Sequence, residues 1–402
     1  MKILHTADWH LGQRLMNRHR KEEHELVLAW LLETVIAEKI EVLIIAGDVF
    51  DTPNPPNYAE QLYFDFLKKI TRTKCRHIII IGGNHDAPSK LNAPKELLKI
   101  FNIHVLGAIT GVVQDQIVEL KNDKGDLEGI IALVPFLRDR DLLYAEEQEG
   151  SKNHSERLKQ AIASHFDAVA AEVNTYDPHL PKIVVGHLFA TGASTSGKQD
   201  NIYVGNIENI DGSQFSEIFD YVALGHIHRA QSIGGQPHIR YSGSLIPVSF
   251  SEVANEKSVT IVNFEAGRFL NHEKRKIPSM RPMFQVSGKY DDIIATLQKK
   301  LSQHEAQLTP WVEIEMEKVD LHALVDSELR RYVSELGGEV LRVKVRQGEK
   351  RDINSPKMSL SLQDIDDMDV FERRCKQWGL DEGLMAEVKD DYKLLKEWME
   401  EQ

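Results

Sequence analysis

The stretch His77–Asp86, HIIIIGGNHD, constrains this chain more than any other. Four consecutive isoleucines leave no polar face, so they read as a strand buried on both sides, and two glycines stop it abruptly. The turn that follows delivers Asn84, His85 and Asp86, three side chains able to hold a metal or a proton. The same arrangement recurs along the chain. Val42 to Ala46 leads into Gly47-Asp48-Val49-Phe50-Asp51, Ile183 to Val185 into Gly186-His187, and Tyr221 to Leu224 into Gly225-His226-Ile227-His228. At the start, Ile3-Leu4-His5-Thr6 leads into Asp8-Trp9-His10. Apolar strands that each end in ligand-type side chains point to a metal site along one edge of a sheet.

The order of elements supports that placement. A helical stretch from about Glu22 to Lys39 sets Leu28, Leu31, Leu32, Val35 and Ile36 at helical spacing. A second helix runs from about Tyr58 to Ile70, after the Pro-rich loop Thr52–Pro56. Strand and helix alternating in this way imply a parallel sheet covered by helices, and ligands gather beyond the carboxyl ends of such strands. From about residue 115 the pattern turns to β, interrupted by a helix from about Ser155 to Val173, and this half reads as antiparallel. The expectation is a two-sheet α/β sandwich. The loop Thr191–Asn201, TGASTSGKQDN, is small and polar and reads as mobile.

A boundary falls near Pro278–Pro282. Beyond it a compact βαβαβ unit is expected: a strand at Pro282–Val286, a helix at Asp291–Ser302 and a strand at Trp311–Met316. A helix at Leu321–Leu336 follows, capped by Asp320 and ended by Gly337-Gly338, and Glu339–Val345 closes the unit. That last strand alternates Leu341, Val343 and Val345 with a basic ladder of Arg342, Lys344 and Arg346. The chain thus divides into residues 1–275, a small unit at 276–347, and a linker with helical segment at 348–402. In the tail, Phe371 and Trp378 share one apolar helical face with Ile365, Met368 and Cys375. Leu384, Val388, Tyr392, Leu395 and Met399 share another. Two helices of this size have too little core to stand alone and read as a docking surface for a partner.

Composition excludes several classes. Cys75 and Cys375 are the only cysteines, so neither a disulfide framework nor a thiolate zinc site is expected. MKILHTAD enters a strand directly, and no apolar run reaches signal or membrane length, which reads as a cytoplasmic protein. The net charge of −13 argues against coating nucleic acid by bulk positive charge. Local patches stay open: Arg14–Lys21 (RLMNRHRK) and the basic ladder read equally as solvated faces or phosphate contacts. His5, His24, His77, His104 and His238 read as structural or solvated.

As an ordered set, D-x-H, GD-x-x-D, GGNHD, GH and GHIH resemble the calcineurin-like metallophosphoesterases over residues 1 to about 265. The resemblance implies one ion held by Asp8, His10, Asp48 and His228, and a second held by Asp48, Asn84, His187 and His226. It implies that His85 faces the substrate without ligating, and that Asp51 orients the bridging Asp48. Two such ions can acidify a bridging water and neutralise a phosphodiester oxygen during in-line attack, while an imidazole serves the leaving group. A ligand set of oxygen and nitrogen alone fits two divalent ions, manganese first.

ILHTADWHLGQ, AGDVFDTPNPP, ALGHIHRAQ and YSGSLIPVSF resemble the SbcD family of bacterial nuclease subunits more closely. That resemblance implies manganese-dependent cleavage of DNA, as a double-strand 3'-5' exonuclease and a single-strand and hairpin endonuclease in repair and recombination. It also implies that the small unit caps DNA and that the tail binds the SMC-like ATPase SbcC, with a homodimer inside a heterotetramer. A protein phosphatase or small-molecule phosphodiesterase on the same fold is the alternative.

Overall fold

The computed structural model describes residues 1–142, 154–191, 210–211, 215–303, 307–317 and 322–346. The tail helices and their apolar faces, Asp320, and the 191–201 loop beyond Thr191 lie outside the described residues. Residues 1–346 form one compact unit.

Two six-stranded sheets stack face to face. The first runs in the order Arg268–Lys276, Ser258–Glu265, Lys2–Thr6, Val42–Ala46, His77–Ile81, Ile103–Leu106. Its last four strands are parallel, and the helices Lys21–Ala37 and Asn57–Ile70 make the crossovers. Alternate residues of each strand serve opposite faces, as a period of two requires. Leu4, Leu43, Ile45, Ile78 and Ile80 pack under the helices against Val27, Leu31, Phe66 and Ile70. Ile3, Val42, Ile44, Ile79 and Ile81 face the other sheet, meeting Ile131, Leu133, Ile183, Val185 and Ala223. Burial on both faces explains the run of isoleucines.

The second sheet runs Gln231–Ile233, Gln236–Tyr241, Tyr221–Gly225, Lys182–His187, Leu127–Val134, Ile117–Lys121. It departs from the antiparallel expectation. Its four inner strands are parallel, and only the two edge strands are antiparallel. The reason is the helix His154–Val173, which carries the chain back over the sheet between Leu127–Val134 and Lys182–His187 and so makes that pair parallel. Its Leu158, Ile162 and Phe166 cover the outer face through Ala132, Val184 and Leu224. The strand Ser258–Glu265 also departs from expectation, since it joins the first sheet beside Lys2–Thr6.

A three-stranded parallel sheet, Met283–Gly288, Trp311–Glu317 and Glu339–Arg346, carries the helices Tyr290–Ser302 and His322–Glu335. Val286, Ile293, Leu297, Ile314, Met316, Leu329 and Val333 give it a core of its own. A register shift next to Glu313 moves Leu341 off the expected face: Val340, Val343 and Val345 pack into that core, and Leu341 joins Met283 and Trp311 instead. Among the described residues, no helix is long and apolar enough to cross a membrane.

Candidate metal centre

Both sheets present their strand ends to one shared edge. Asp8 and His10 follow Lys2–Thr6, Asp48 and Asp51 follow Val42–Ala46, and Asn84 and His85 follow His77–Ile81. His187 ends the strand Lys182–His187, and His226 and His228 follow Tyr221–Gly225. The backbone here is strained: Asp8, His10, Asp48 and His226 hold φ of +52°, +46°, +49° and +99°. Left-handed backbone at non-glycine residues costs free energy and concentrates at functional sites. The loops also touch. A Cβ on Gly83 would collide with Asp48 Oδ1, and one on Gly225 with the carbonyl of Ala46, so only glycine allows these approaches.

Three groups of ligand-type atoms result, two of which match the expected ion sites. Asp8, His10 and His228 bring one ligand atom each within 4.8 Å of one another, and so do Asp48, His187 and His226. Asn84 joins the second through Oδ1, 3.0 Å from both His187 Nε2 and His226 Nδ1. Asp48 lies between the clusters, its Oδ2 3.4 Å from His187 Nε2 and 3.7 Å from His10 Nε2. His85 falls in neither. It groups with His10 and Asp51, and its Nδ1 donates to the Asp51 carbonyl at 2.7 Å. The Asp51 carboxylate lies 3.2 Å from His10 Nδ1.

The outer partners assign the tautomers. His228 Nδ1 donates to Glu252 at 2.9 Å, His187 Nδ1 to the Ala46 carbonyl at 2.8 Å, and His10 Nδ1 faces Asp51. His187 and His228, when neutral, then carry their lone pair on Nε2. The ligand atoms converge: His10 Nε2 and His228 Nε2 are 3.1 Å apart, and His187 Nε2 faces Asn84 Oδ1. Asp8 Oδ2 is buried without any hydrogen-bond partner. Ligand atoms packed this closely call for cations between them, and this donor set of nitrogen and oxygen fits divalent ions.

Without cations, protons take their place. Burial lowers His10, but Asp51 and Asp48 outweigh it and push the imidazole up to about 9. Burial likewise lowers His187, and Asp48 with Asp8 pushes it up to about 9. Burial raises Asp8, against the pull of His187 and His228. Burial would raise Asp48 too, yet His187 and His10 hold it well below the usual carboxylate range. Burial, then His187, lowers His226 to about 3.

Three residues that the sequence left unassigned complete the site. Asp86 reads from the sequence as a ligand-type group, but its carboxylate accepts the backbone N–H groups of Val49, Phe50 and Gly83 at 2.9–3.1 Å. It bolts the Asp48 loop to the Asn84 loop. Burial and then Asp48 raise it to about 6. Glu252 and Lys257 stand behind His228, and burial of Glu252 is outweighed by His228 and Lys257, which bring its carboxyl down to about 2. The run Arg14–Lys21 is a hairpin, Arg14–Leu15 with Arg18–His19; Arg20 is buried against Glu23, and Arg18 pairs with Glu339. In the basic ladder, Arg342 and Lys344 both reach the buried Glu313.

Comparison with known proteins gives the family. Residues 1–230 match the family model described as calcineurin-like phosphoesterase, and residues 279–378 match the one described as type 5 capsule protein repressor C-terminal domain. The chain is 33% identical over 386 residues to the SbcD subunit of the nuclease SbcCD from Escherichia coli (strain K12), covering 95% of this chain and 94% of that protein. The proteins of the same name from Rhodobacter capsulatus and Bacillus subtilis are 34% and 31% identical, over 74% and 80% of this chain and 76% and 80% of theirs. A crystal structure of a dimetal phosphatase from Danio rerio aligns over 69% of this chain and 97% of its own at 11% identity, with a TM-score of 0.41. On the extent of these sequence matches, the chain belongs to the calcineurin-like phosphoesterases and, within them, to the SbcD family of nuclease subunits.

Proposed function

We propose that the chain is a metal-dependent DNA nuclease, the hydrolytic subunit of a complex with an SMC-like ATPase of the SbcC type. The observation that carries this reading is the convergence of imidazole nitrogens, the Asn84 oxygen and an unpartnered Asp8 oxygen at one sheet edge. Asp8, His10, Asp48 and His228 would hold one divalent ion and Asp48, Asn84, His187 and His226 the second, so that Asp48 belongs to both sets. Manganese suits a site of oxygen and nitrogen ligands without sulfur. A pair of such ions supplies Lewis-acid charge at the phosphate and acidifies the attacking water.

The chain's own groups do the rest. Asp51 sets His10 with its carboxylate and His85 with its carbonyl. With Nδ1 donating to Asp51, His85 turns Nε2 to the substrate, and as the imidazolium it gives the Nε2 proton to the leaving oxygen and reverts to the neutral ring. Residues 1–275 are the nuclease domain, 276–347 cap DNA, and 348–402 carry the ATPase-binding segment. The substrates are duplex ends, attacked 3'-5', and single strands and hairpins. The working form is a homodimer within a heterotetramer in the cytoplasm. A phosphatase or small-molecule phosphodiesterase would use the same ions, but the relatives that match 95% of this chain carry the word nuclease in their name.

The test combines turnover and ion binding. With Mn²⁺, the purified chain should cut plasmid and hairpin DNA far faster than an aryl phosphate. In a calorimetric Mn²⁺ titration, Asp48→Ala should abolish both binding steps and His187→Ala only one. Preference for the aryl phosphate would sink the nuclease reading, and equal effects of the two substitutions would sink the bridge.

A further inference from the structure

Most outer contacts at the metal centre come from the loops that carry the ligands. His187, for example, is oriented by the Ala46 carbonyl, at the end of a central strand of the first sheet. His228 is different. Its Nδ1 donates to Glu252, which lies 24 residues further along the chain on the 3-10 turn Phe250–Glu252.

Glu252 is a built and buried partner. One oxygen takes the imidazole proton. The other accepts Lys257 Nζ at 2.6 Å and the Val248 N–H at 3.2 Å. Lys257 in turn donates to Ser244 Oγ at 2.7 Å and to the His228 carbonyl at 2.9 Å. A charged carboxylate and ammonium, both buried, are held here only by one another and by the loop they brace.

The other end of the same turn leaves the two-sheet body. Phe250 packs with Leu15, Met283 and Trp311, so it touches the hairpin that follows His10 and two strands of the three-stranded sheet. Charged side chains surround that contact. Arg281 lies 4.2 Å over the Trp311 ring and pairs with Glu23 at 3.0 Å, while Arg20 pairs with Glu23 and donates to the Pro247 carbonyl. The joint therefore grips both ends of the Asp8–His10–His228 cluster, through the hairpin after His10 and through the turn behind His228.

We infer that Glu252 is a positioning residue for the Asp8–His10–His228 cluster, and that the Phe250–Glu252 turn ties this cluster, and not the Asp48–His187–His226 cluster, to the seat of the three-stranded sheet. The inference rests on the reading of these residues as ion ligands. It deepens that reading by making one of the two ion sites sensitive to how the small sheet sits. Loss of an outer partner behind a ligating histidine weakens ion binding by roughly 10–100-fold.

The full chain, stripped of ions and titrated calorimetrically with Mn²⁺, tests it. His228→Ala and His187→Ala first assign the two binding steps to the two clusters. Glu252→Ala should weaken the His228 step roughly 10–100-fold and leave the His187 step unchanged. Glu252→Gln combined with Lys257→Met, where the amide oxygen still accepts the imidazole proton and the amide nitrogen no longer faces an ammonium, should restore most of the affinity. The double variant Glu252→Ala/Lys257→Met removes the stranded ammonium and should keep the fold with the same selective loss. Phe250→Ala should weaken the same step by a smaller factor. Unchanged affinity in the Glu252→Ala/Lys257→Met variant, or equal weakening of both steps, overturns the positioning role. A Phe250→Ala chain that loses affinity at the His187 step, or at neither, overturns the tie to the small sheet. A parent chain that binds no ion overturns the underlying reading instead.

Discussion

His85 sits edge-on to His10, ring centroids 4.8 Å apart, with its Nδ1 engaged by the Asp51 carbonyl and its ring outside both ion clusters. If it serves the leaving group, His85→Ala should keep both ions and lose cleavage by roughly 10²–10⁴-fold. Loss of an ion by elemental analysis in that variant would make it a ligand. His24 illustrates the opposite use of an imidazole. It is fully buried in the first helix, and burial, then Arg20, lowers it to about 3 from an ordinary value of 6.5. The folded chain keeps it neutral while the unfolded chain takes up a proton as the pH falls below 6.5. Stability present above that value is therefore lost on acidification, by about 2 kcal/mol near pH 5 from this residue alone. His24→Leu removes the titration, so ion-free denaturant unfolding at pH 7 and pH 5 should show a correspondingly smaller acid loss than the parent. An identical loss would mean that His24 is charged inside the fold.

At the scale of elements, Asp86 does what no strand pairing can, holding two ligand loops in register through three backbone N–H groups. Asp86→Ala leaves those buried donors unpaired, at about 1–3 kcal/mol each. Thermal unfolding should fall markedly even without ions, and Mn²⁺ affinity should fall at the steps that use Asp48 and Asn84. A variant with parental stability would show that the loops hold themselves. This role was only half legible in the sequence. The isoleucine run fixed a doubly buried strand, and the motif order fixed which strand ends meet, because both follow from local pattern. Whether Asp86 binds an ion or backbone amides depends on the approach of a loop 37 residues away. Glu252 and Lys257 escaped for the same reason, since a five-residue spacing in a loop carries no period. The strand Arg268–Lys276 was invisible because RFLNHEKRK, an exposed sheet edge, has almost no apolar alternation. The parallel core of the second sheet was hidden by short β segments that look alike in either direction.

The whole molecule carries a net charge of −13, so an enzyme acting on DNA must draw much of its hold on the phosphate backbone from local patches or from a partner. Within residues 1–346, Arg342 and Lys344 are already engaged by Glu313, and Arg20 by Glu23, which leaves less free basic surface than the sequence suggests. The proposed partner, supplying DNA binding and ATP turnover, answers that shortage, and the proposal attaches it to the tail. Residues 1–346 form one compact unit with hydrophobic cores of its own. Deleting residues 347–402 should therefore leave a folded protein that binds Mn²⁺ in both steps and still cuts simple single-stranded DNA. The same deletion should end co-purification with the SMC-like ATPase and all ATP-stimulated cleavage. Phe371→Asp or Trp378→Asp in the full chain should reproduce that loss, because a charge placed in a desolvated apolar contact finds no partner. The measurements are circular dichroism and Mn²⁺ titration for the fold, and pull-down with ATP-dependent cleavage for the partner. A truncated chain that unfolds would make the tail part of this protein's own core, and one that still binds the ATPase at full affinity would move the attachment into residues 1–346.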